Sequence, residues 1–419
     1  MDILDTDLMP RERKLRALRS GEVVGGVFWP AGDPDRETQG FVRWDPDRGA
    51  KLEFAVGSDD WPSSRDRGIL TIHGVLRDLG EITLMNALPT NWTFVDEVYR
   101  HVARTLVFGA HTTPHQRWPK AVYSSGHLSE LRRDTGLVHS PSRRRSAHRK
   151  HRLDVVATET DEVSLPGARL TFGGSRQSAF VYGPDWAIRT RQDLAIEPTR
   201  PRTLGQYRHD FGEPLASLTA LVADNADDVV HEVLLDPKAG LRAEVWEAGR
   251  SEQPREWLTR VRPIFHLDEL PDFERAVKRW WKTYRLTWPA LSVFASQYSD
   301  GRTFSPSRLI TVYSALEAYA RGRHGHCELK RLRDYARIDS SVTGCTNPAL
   351  TDLGRCRGYC AHLDSANVSM SADEVLALLV PSTRKASALL QACLLRELGF
   401  DKAESTSKLE GHYANWPLD

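Results

Sequence analysis

Apolar residues between Gly21 and about Gly240 come in short runs that alternate with polar ones. Lys51-Leu52-Glu53-Phe54-Ala55-Val56 is one such run, the mark of a strand with one wetted face. Val23–Trp29, Gly40–Trp44, Gly68–His73 and Glu81–Met85 repeat the pattern, each bounded by Gly, Pro, Asp or Asn. Leu106–Ala110, Lys120–Tyr123, Leu153–Ala157, Val163–Leu165, Arg169–Phe172 and Ser178–Tyr182 continue it. The expected structure is an antiparallel sandwich or barrel-like sheet of about ten or more strands. Trp29, Trp44, Trp61, Trp92, Trp118 and Trp186 supply bulk for its core or rim. A helix-rich connector is expected over Leu204–Val222, then a hairpin ending near Glu247.

After a stretch at 249–271 that holds three Pro, the period changes to that of helices. Phe273, Val277, Trp280 or Trp281, Tyr284 and Trp288 mark one helix, which Pro289 kinks or restarts. Ser305-Pro306 is a strong start signal for a second, with Leu309, Val312, Tyr313, Leu316 and Ala320 as its inner stripe and Gly322 as its close. A third is expected over Glu328–Tyr335 and a fourth around residues 357–362. A capping box at Ser371–Glu374 opens a long final helix or helix pair ending at Leu398-Gly399. The class is therefore α+β. It divides into an N-terminal segment (1–20), a β-rich domain (21–255), a helical domain (270–400) and a polar tail (401–419).

Composition narrows this picture. Of 419 residues, 40% are hydrophobic and 27% charged, as in an ordinary globular chain. A net charge of +1 excludes a basic surface over the whole protein, so any nucleic-acid contact must come from a local patch. No apolar run is long enough to span a bilayer, and the acidic Met1–Asp5 lacks a signal core. A cytoplasmic location is expected. Five cysteines, all after residue 326, argue against a secreted disulfide framework. Walker, Rossmann and nucleophile-elbow patterns are absent from the sequence.

Three features carry candidate chemistry. Arg357 and His362 form an R-x4-H pair inside a helical pattern. A permanent planar cation suits phosphate oxygens, and an imidazole, which ordinarily titrates near 6.5, moves protons near neutral pH. Together they suit phosphodiester cleavage without a metal. Five residues are about 140° of helix and about 7.5 Å of rise, so the pair does not share one face of a regular helix. Either the segment begins irregularly at Gly358, or two copies of the chain complete one cleft. The second feature is the basic run with Arg143, Arg144, Arg145, Arg149, Lys150 and Arg152, either a solvated loop or a phosphate contact with RNA or phage-derived nucleic acid. The third is Cys327, Cys345, Cys356 and Cys360, within 34 residues, with His324 and His326 beside the first. They are either buried free thiols or the ligands of a structural zinc ion.

The order of short motifs resembles one family. Val27-Phe28-Trp29-Pro30, Gly40–Val56, Ile82-Thr83-Leu84 and Leu106–His111 are similar to the ApeA N-terminal domain. Ser314-Ala315-Leu316-Glu317-Ala318 and Arg357–His362 resemble the ApeA-type HEPN ribonuclease domain. The resemblance implies an anti-phage abortive-infection effector whose helical bundle dimerises and cuts RNA, with tRNA a reasonable target. The β-rich domain would sense a phage-derived trigger or block the cleft. It implies 2′-OH attack on phosphorus, leaving a 2′,3′-cyclic phosphate, with Arg357 and His362 as the catalytic pair and Glu317 as the facing acid. Many members carry Asn directly after the Arg, where this chain has Gly358. That difference leaves open a silent HEPN domain that binds RNA or a partner. A carbohydrate-binding β-sandwich joined to a helical dimerisation module is a third reading, permitted by the many Trp residues.

Overall fold

A computed structural model of the chain describes residues 15, 17–55, 69–93, 98–125, 127–132, 137–141, 151–155, 159–180, 186–224, 229–249, 263–297, 304–362 and 370–413. It is α+β, an antiparallel β-barrel with extra strands and a helical region. By packing, the chain divides into two compact units, each drawn from three stretches. The first comprises residues 1–124, 195–208 and 228–253. The second comprises 125–194, 209–227 and 254–419.

The first unit is built on seven strands: β1 (Val23–Pro30), β2 (Thr38–Asp45), β3 (Gly49–Ala55), β4 (Leu70–Leu76), β5 (Gly80–Thr93), β6 (Val98–Ala103) and β7 (Thr105–Phe108). Hydrogen-bonded neighbours run β5-β4-β1-β2-β3-β6, and β6 returns to β5, so six strands close into a barrel. Closure is possible because β5 is 14 residues long. Ile82–Met85 pair with β7, whereas Leu88–Thr93 pair with β6. Alternation then fills the interior. Phe28, Val42, Trp44, Leu52, Phe54, Ile72, Ile82, Leu84 and Leu106 are all within the buried core. A closed barrel also leaves no free edge among these six strands to recruit another chain. Beyond β7 the ladder continues to Leu241–Glu247, Val229–Asp236 and Lys120–Ser125. Of the six N-terminal tryptophans, Trp44 and Trp118 are buried and Trp29 is half-buried. Trp61 and the side chains of Trp92 and Trp186 lie outside the described residues.

The second unit holds a short ladder, Leu137–Pro141 with His151–Val155, and a hairpin, Asp161–Leu165 with Ala168–Phe180, turned by Pro166-Gly167. Gly167 has φ 87, a value glycine reaches without penalty. Its main helices are α1 (Glu213–Ala223), α2 (Phe273–Thr287), α3 (Ala290–Ser296), α4 (Pro306–His324), α5 (Leu329–Ala336), α6 (Asn347–His362), α7 (Ala372–Leu398) and α8 (Lys402–Tyr413). Pro289 separates α2 from α3, as its missing N–H requires. Ser305 caps α4 by accepting from Arg308 N at 3.2 Å, with Pro306 in the first turn. Ser371 and Glu374 form the reciprocal capping box of α7.

The helix α7 is the axis of this unit. Every residue from Ala386 to Leu395 is buried, as expected of a helix ringed by others. It packs against α2, α4, α5, α6 and α8.

Two expectations are corrected here. The close of α4 is Gly325, with φ 74, rather than Gly322. Gly322 serves close packing instead, since a Cβ there would lie 2.6 Å from Leu286 O of α2. Residues 402–413 of the expected polar tail form α8. Leu409 and Ser405 are buried, and His412 Nε2 lies 3.1 Å from Asp224 Oδ2. The tail reads as polar because one narrow face suffices for docking.

Candidate functional site

Tyr313 and Glu317 are one helical turn apart on α4, at the edge of its buried stripe of Leu309, Val312, Leu316 and Ala320. The helix α6 lies against them, burying Leu353, Cys356 and Cys360. Arg357 follows Cys356 and therefore stands at the border of that buried face. Its guanidinium reaches across to α4. Nη2 is 3.8 Å from Glu317 Oε2, and Cζ stands 5.4 Å from the centre of the Tyr313 ring.

At 3.8 Å the carboxylate neutralises Arg357 without a full hydrogen bond. Arg357 Nε is shielded from solvent and has no hydrogen-bond partner among the described residues. The side chain as a whole is 31% exposed. The cation is thus held by a ring and a loose ion pair, with donors left over. Burial pushes the Tyr313 hydroxyl above its ordinary range; the charge of Glu317 adds to this and Arg357 partly offsets it.

His362 is the last residue of α6 and is exposed. Among the described residues it makes no hydrogen bond or ion pair. The helix runs unbroken from Asn347 through Gly358 to His362. The irregular start expected at Gly358 is therefore absent. Glycine costs about 1 kcal/mol in a helix interior, and the packing of Leu353, Cys356 and Cys360 carries the helix through it. With regular helical geometry, Arg357 and His362 point about 140° apart. The structure joins Arg357 to Glu317 and leaves His362 apart from both in the same chain.

The four cysteines are not gathered. Cys327 is exposed, whereas Cys345, Cys356 and Cys360 are buried. The Cys345 thiol lies 3.4 Å from the carbonyls of Thr343 and Lys385. Cys356 pairs with its helical neighbour Cys360, and burial pushes its thiol up to about 12. Burial likewise pushes Cys345 up to about 11. Among the described residues no group of three or more His, Cys, Asp or Glu is placed to hold a metal ion. Four-residue spacing on a helix joins two thiols but does not bring loop residues to them. In the folded protein a thiol reagent is expected to modify Cys327 quickly and the other four cysteines only on unfolding, read as labelled sites by peptide mass. Fast labelling of Cys356 would contradict its burial.

In the basic run, Arg143, Arg144, Arg145, Arg149 and Lys150 lie outside the described residues. Arg152 is in a strand, paired with Ser140, and its side chain is likewise outside them.

One buried acid was not singled out in the sequence. Glu397, near the end of α7, is 8% exposed. It accepts from Arg323 Nε at 2.7 Å, Tyr335 OH at 2.7 Å, Tyr319 OH at 3.0 Å and Thr283 Oγ1 at 3.3 Å. Burial alone would raise its carboxyl, but the bonds from Arg323 and Tyr335 outweigh that and hold it below the usual range. This carboxylate ties α2, α4 and α5 to α7. The signal was present: Arg396-Glu397 follows the apolar run Ala392–Leu395 inside a buried helical pattern.

Residues 24–116 match the family model of ApeA N-terminal domain 1, which points to a family of anti-phage defence proteins. The matched segment includes β1 to β7 and hence the whole barrel. No curated protein and no solved structure matches the chain.

Proposed function

We propose that this chain is an anti-phage effector whose helical unit is a HEPN-type endoribonuclease, acting as a homodimer without a catalytic metal. The observation that carries the reading is the placement of Arg357. It is a partly exposed guanidinium with spare donors, on the helix that ends in His362 and held by Glu317 and Tyr313 of α4. The barrel's match to an ApeA domain supplies the biological setting.

In this scheme the scissile phosphate takes the place of solvent at Arg357, whose planar fork suits two phosphate oxygens. The ribose 2′-OH attacks the adjacent phosphorus, the P–O5′ bond breaks, and a 2′,3′-cyclic phosphate and a 5′-OH result. His362 either takes the 2′-OH proton or gives one to the departing 5′ oxygen. Glu317 is a positioning residue that keeps Arg357 extended before RNA arrives. Because the two residues diverge within one chain, His362 of one copy serves the phosphate held by Arg357 of the other. The exposure of His362 suits that arrangement.

Incubation of total RNA with the purified protein in excess chelator is the direct test. Cleavage is expected to persist, with products ending in 2′,3′-cyclic phosphate. Products with 3′-OH ends, or loss of all cleavage on chelation, would contradict the scheme. Sequencing RNA ends after induction would identify the target, with tRNA the first candidate.

A second reading, a silent HEPN domain that binds RNA or a partner, draws on Gly358 and on the engagement of Arg357 by Glu317. It requires phage protection to be unchanged by His362→Ala.

A further inference from the structure

The outer face of the barrel carries a feature with no part in the cleavage scheme. On β2, Phe41 points outward and is 60% exposed, between the inward Gly40 and Val42. Opposite it on β1 is Gly25. A Cβ at Gly25 would lie 3.5 Å from the Phe41 ring, so the ring lies across the neighbouring strand over a backbone with no side chain. Val23, 61% exposed, and Val75, 42% exposed, extend this apolar floor, with Val27 opposite Val75 in register. The floor leads along β1 to the half-buried Trp29, in edge contact with His111 at 5.1 Å.

Charges of both signs surround the ring: Arg43, Lys51 and Arg77 against Asp45 and Glu53, with Asp45 Oδ1 already accepting from the backbone N of Asp47 and Arg48. Arg43 is on the same face two residues along β2, opposite Lys51 on β3. Arg77 is anchored beside Gly25, its backbone N donating to Gly25 O at 3.1 Å. Both arginines are exposed, and among the described residues neither has an ion-pair partner. Of the acids on this face, Glu53 is directly opposite Phe41 on β3. It is already engaged by Lys51 at 2.6 Å and by Arg100 at 3.1 Å. Glu81, on β5, lies toward His111 at 3.9 Å.

We propose that this face of β4-β1-β2-β3 binds single-stranded nucleic acid, with Phe41 stacking on a base and Arg43 and Arg77 holding the flanking phosphates. A bare aromatic ring flanked by uncommitted cations matches the two demands of a single strand, whose bases are free to stack and whose backbone is a polyanion. A duplex meets only the second, because its bases are already stacked. Two residues along β2, from Phe41 to Arg43, span about 6.6 Å, within reach of a base and its adjoining phosphate. Small barrels present outer strands to oligonucleotides in this way. Binding here does not depend on cleavage at Arg357.

The test uses the full chain and a fluorescent oligo-dT of about 20 nucleotides, longer than one barrel's site. Having no 2′-OH, it is immune to the proposed cleavage chemistry. Binding by anisotropy is expected, and it should weaken as salt rises. Phe41→Ala and Arg43→Glu are each expected to weaken it about tenfold. Leu376→Ala, at a 68% exposed site on α7, should leave it unchanged. Absence of binding at low salt would overturn the proposal, as would binding that neither barrel variant alters. So would equal competition by duplex DNA. Capture of an acidic peptide, lost in Phe41→Ala, with no oligonucleotide bound, would assign the face to a protein partner and overturn it as well.

Discussion

Replacing His362 by Ala is expected to lower RNA cleavage by roughly 100- to 10,000-fold, the range for loss of a positioned acid or base. Thermal unfolding should not change, because the side chain is exposed and without partners among the described residues. Arg357→Ala is expected to cost roughly 100- to 1000-fold through lost stabilisation of charge on the phosphate. Arg357→Lys should restore little, since an ammonium keeps the charge but not the planar fork. Equal cleavage by wild type, His362→Ala and Arg357→Ala would remove the site assignment. The divergence of the two residues on one regular helix adds a sharper outcome. Co-expressed Arg357→Ala and His362→Ala chains should recover part of the activity, because one cleft of the mixed dimer keeps both intact groups. A pair acting within one chain gives no recovery.

Glu397→Ala is expected to destabilise the helical unit by about 3 kcal/mol, the lower end for breaking a buried charged pair. The substitution leaves Arg323, Tyr319 and Tyr335 without their acceptor. The partner Arg323 is 39% exposed and can rehydrate, which favours that lower end over a larger loss. Urea unfolding followed by far-UV circular dichroism reads the change; a shift below 1 kcal/mol would show that the cluster contributes little. Acid should act in the same direction. The Glu397 carboxyl is held below its ordinary value of 4.5 in the folded state. Its contribution is therefore complete above that value and is lost as pH falls through the lower folded-state value. Glu397→Gln should be less stable at neutral pH and lose less on acidification than wild type.

Element types were legible because most of this chain obeys local rules. Two-residue alternation found part of each strand from β1 to β5, but it caught only Glu81–Met85 of the 14-residue β5, where Ile82–Met85 are all buried, and it missed β6. Ser305-Pro306 and Ser371–Glu374 fixed helix starts by satisfying backbone donors nearby in sequence. Gly322 misled because its lack of a Cβ serves contact with α2, which is remote in sequence. The tail misled because the packing of α8 around Leu409 involves Asp224 and Gln391, far upstream. The proposed zinc set had suggestive spacing, but spacing along a chain does not fix distance in space.

By itself the sequence determined the α+β class, a β-rich half ahead of a helical half, and Arg357 and His362 as residues worth testing. Each follows from periodicity or from side-chain chemistry, which act over a few residues. Only the tertiary structure decided that the sheet closes on β5, that Glu317 and Tyr313 are the groups facing Arg357, and that Glu397 is the anchor of the helical unit. Those are pairings between distant segments. They depend on which surfaces exclude water together, and no local pattern carries that information.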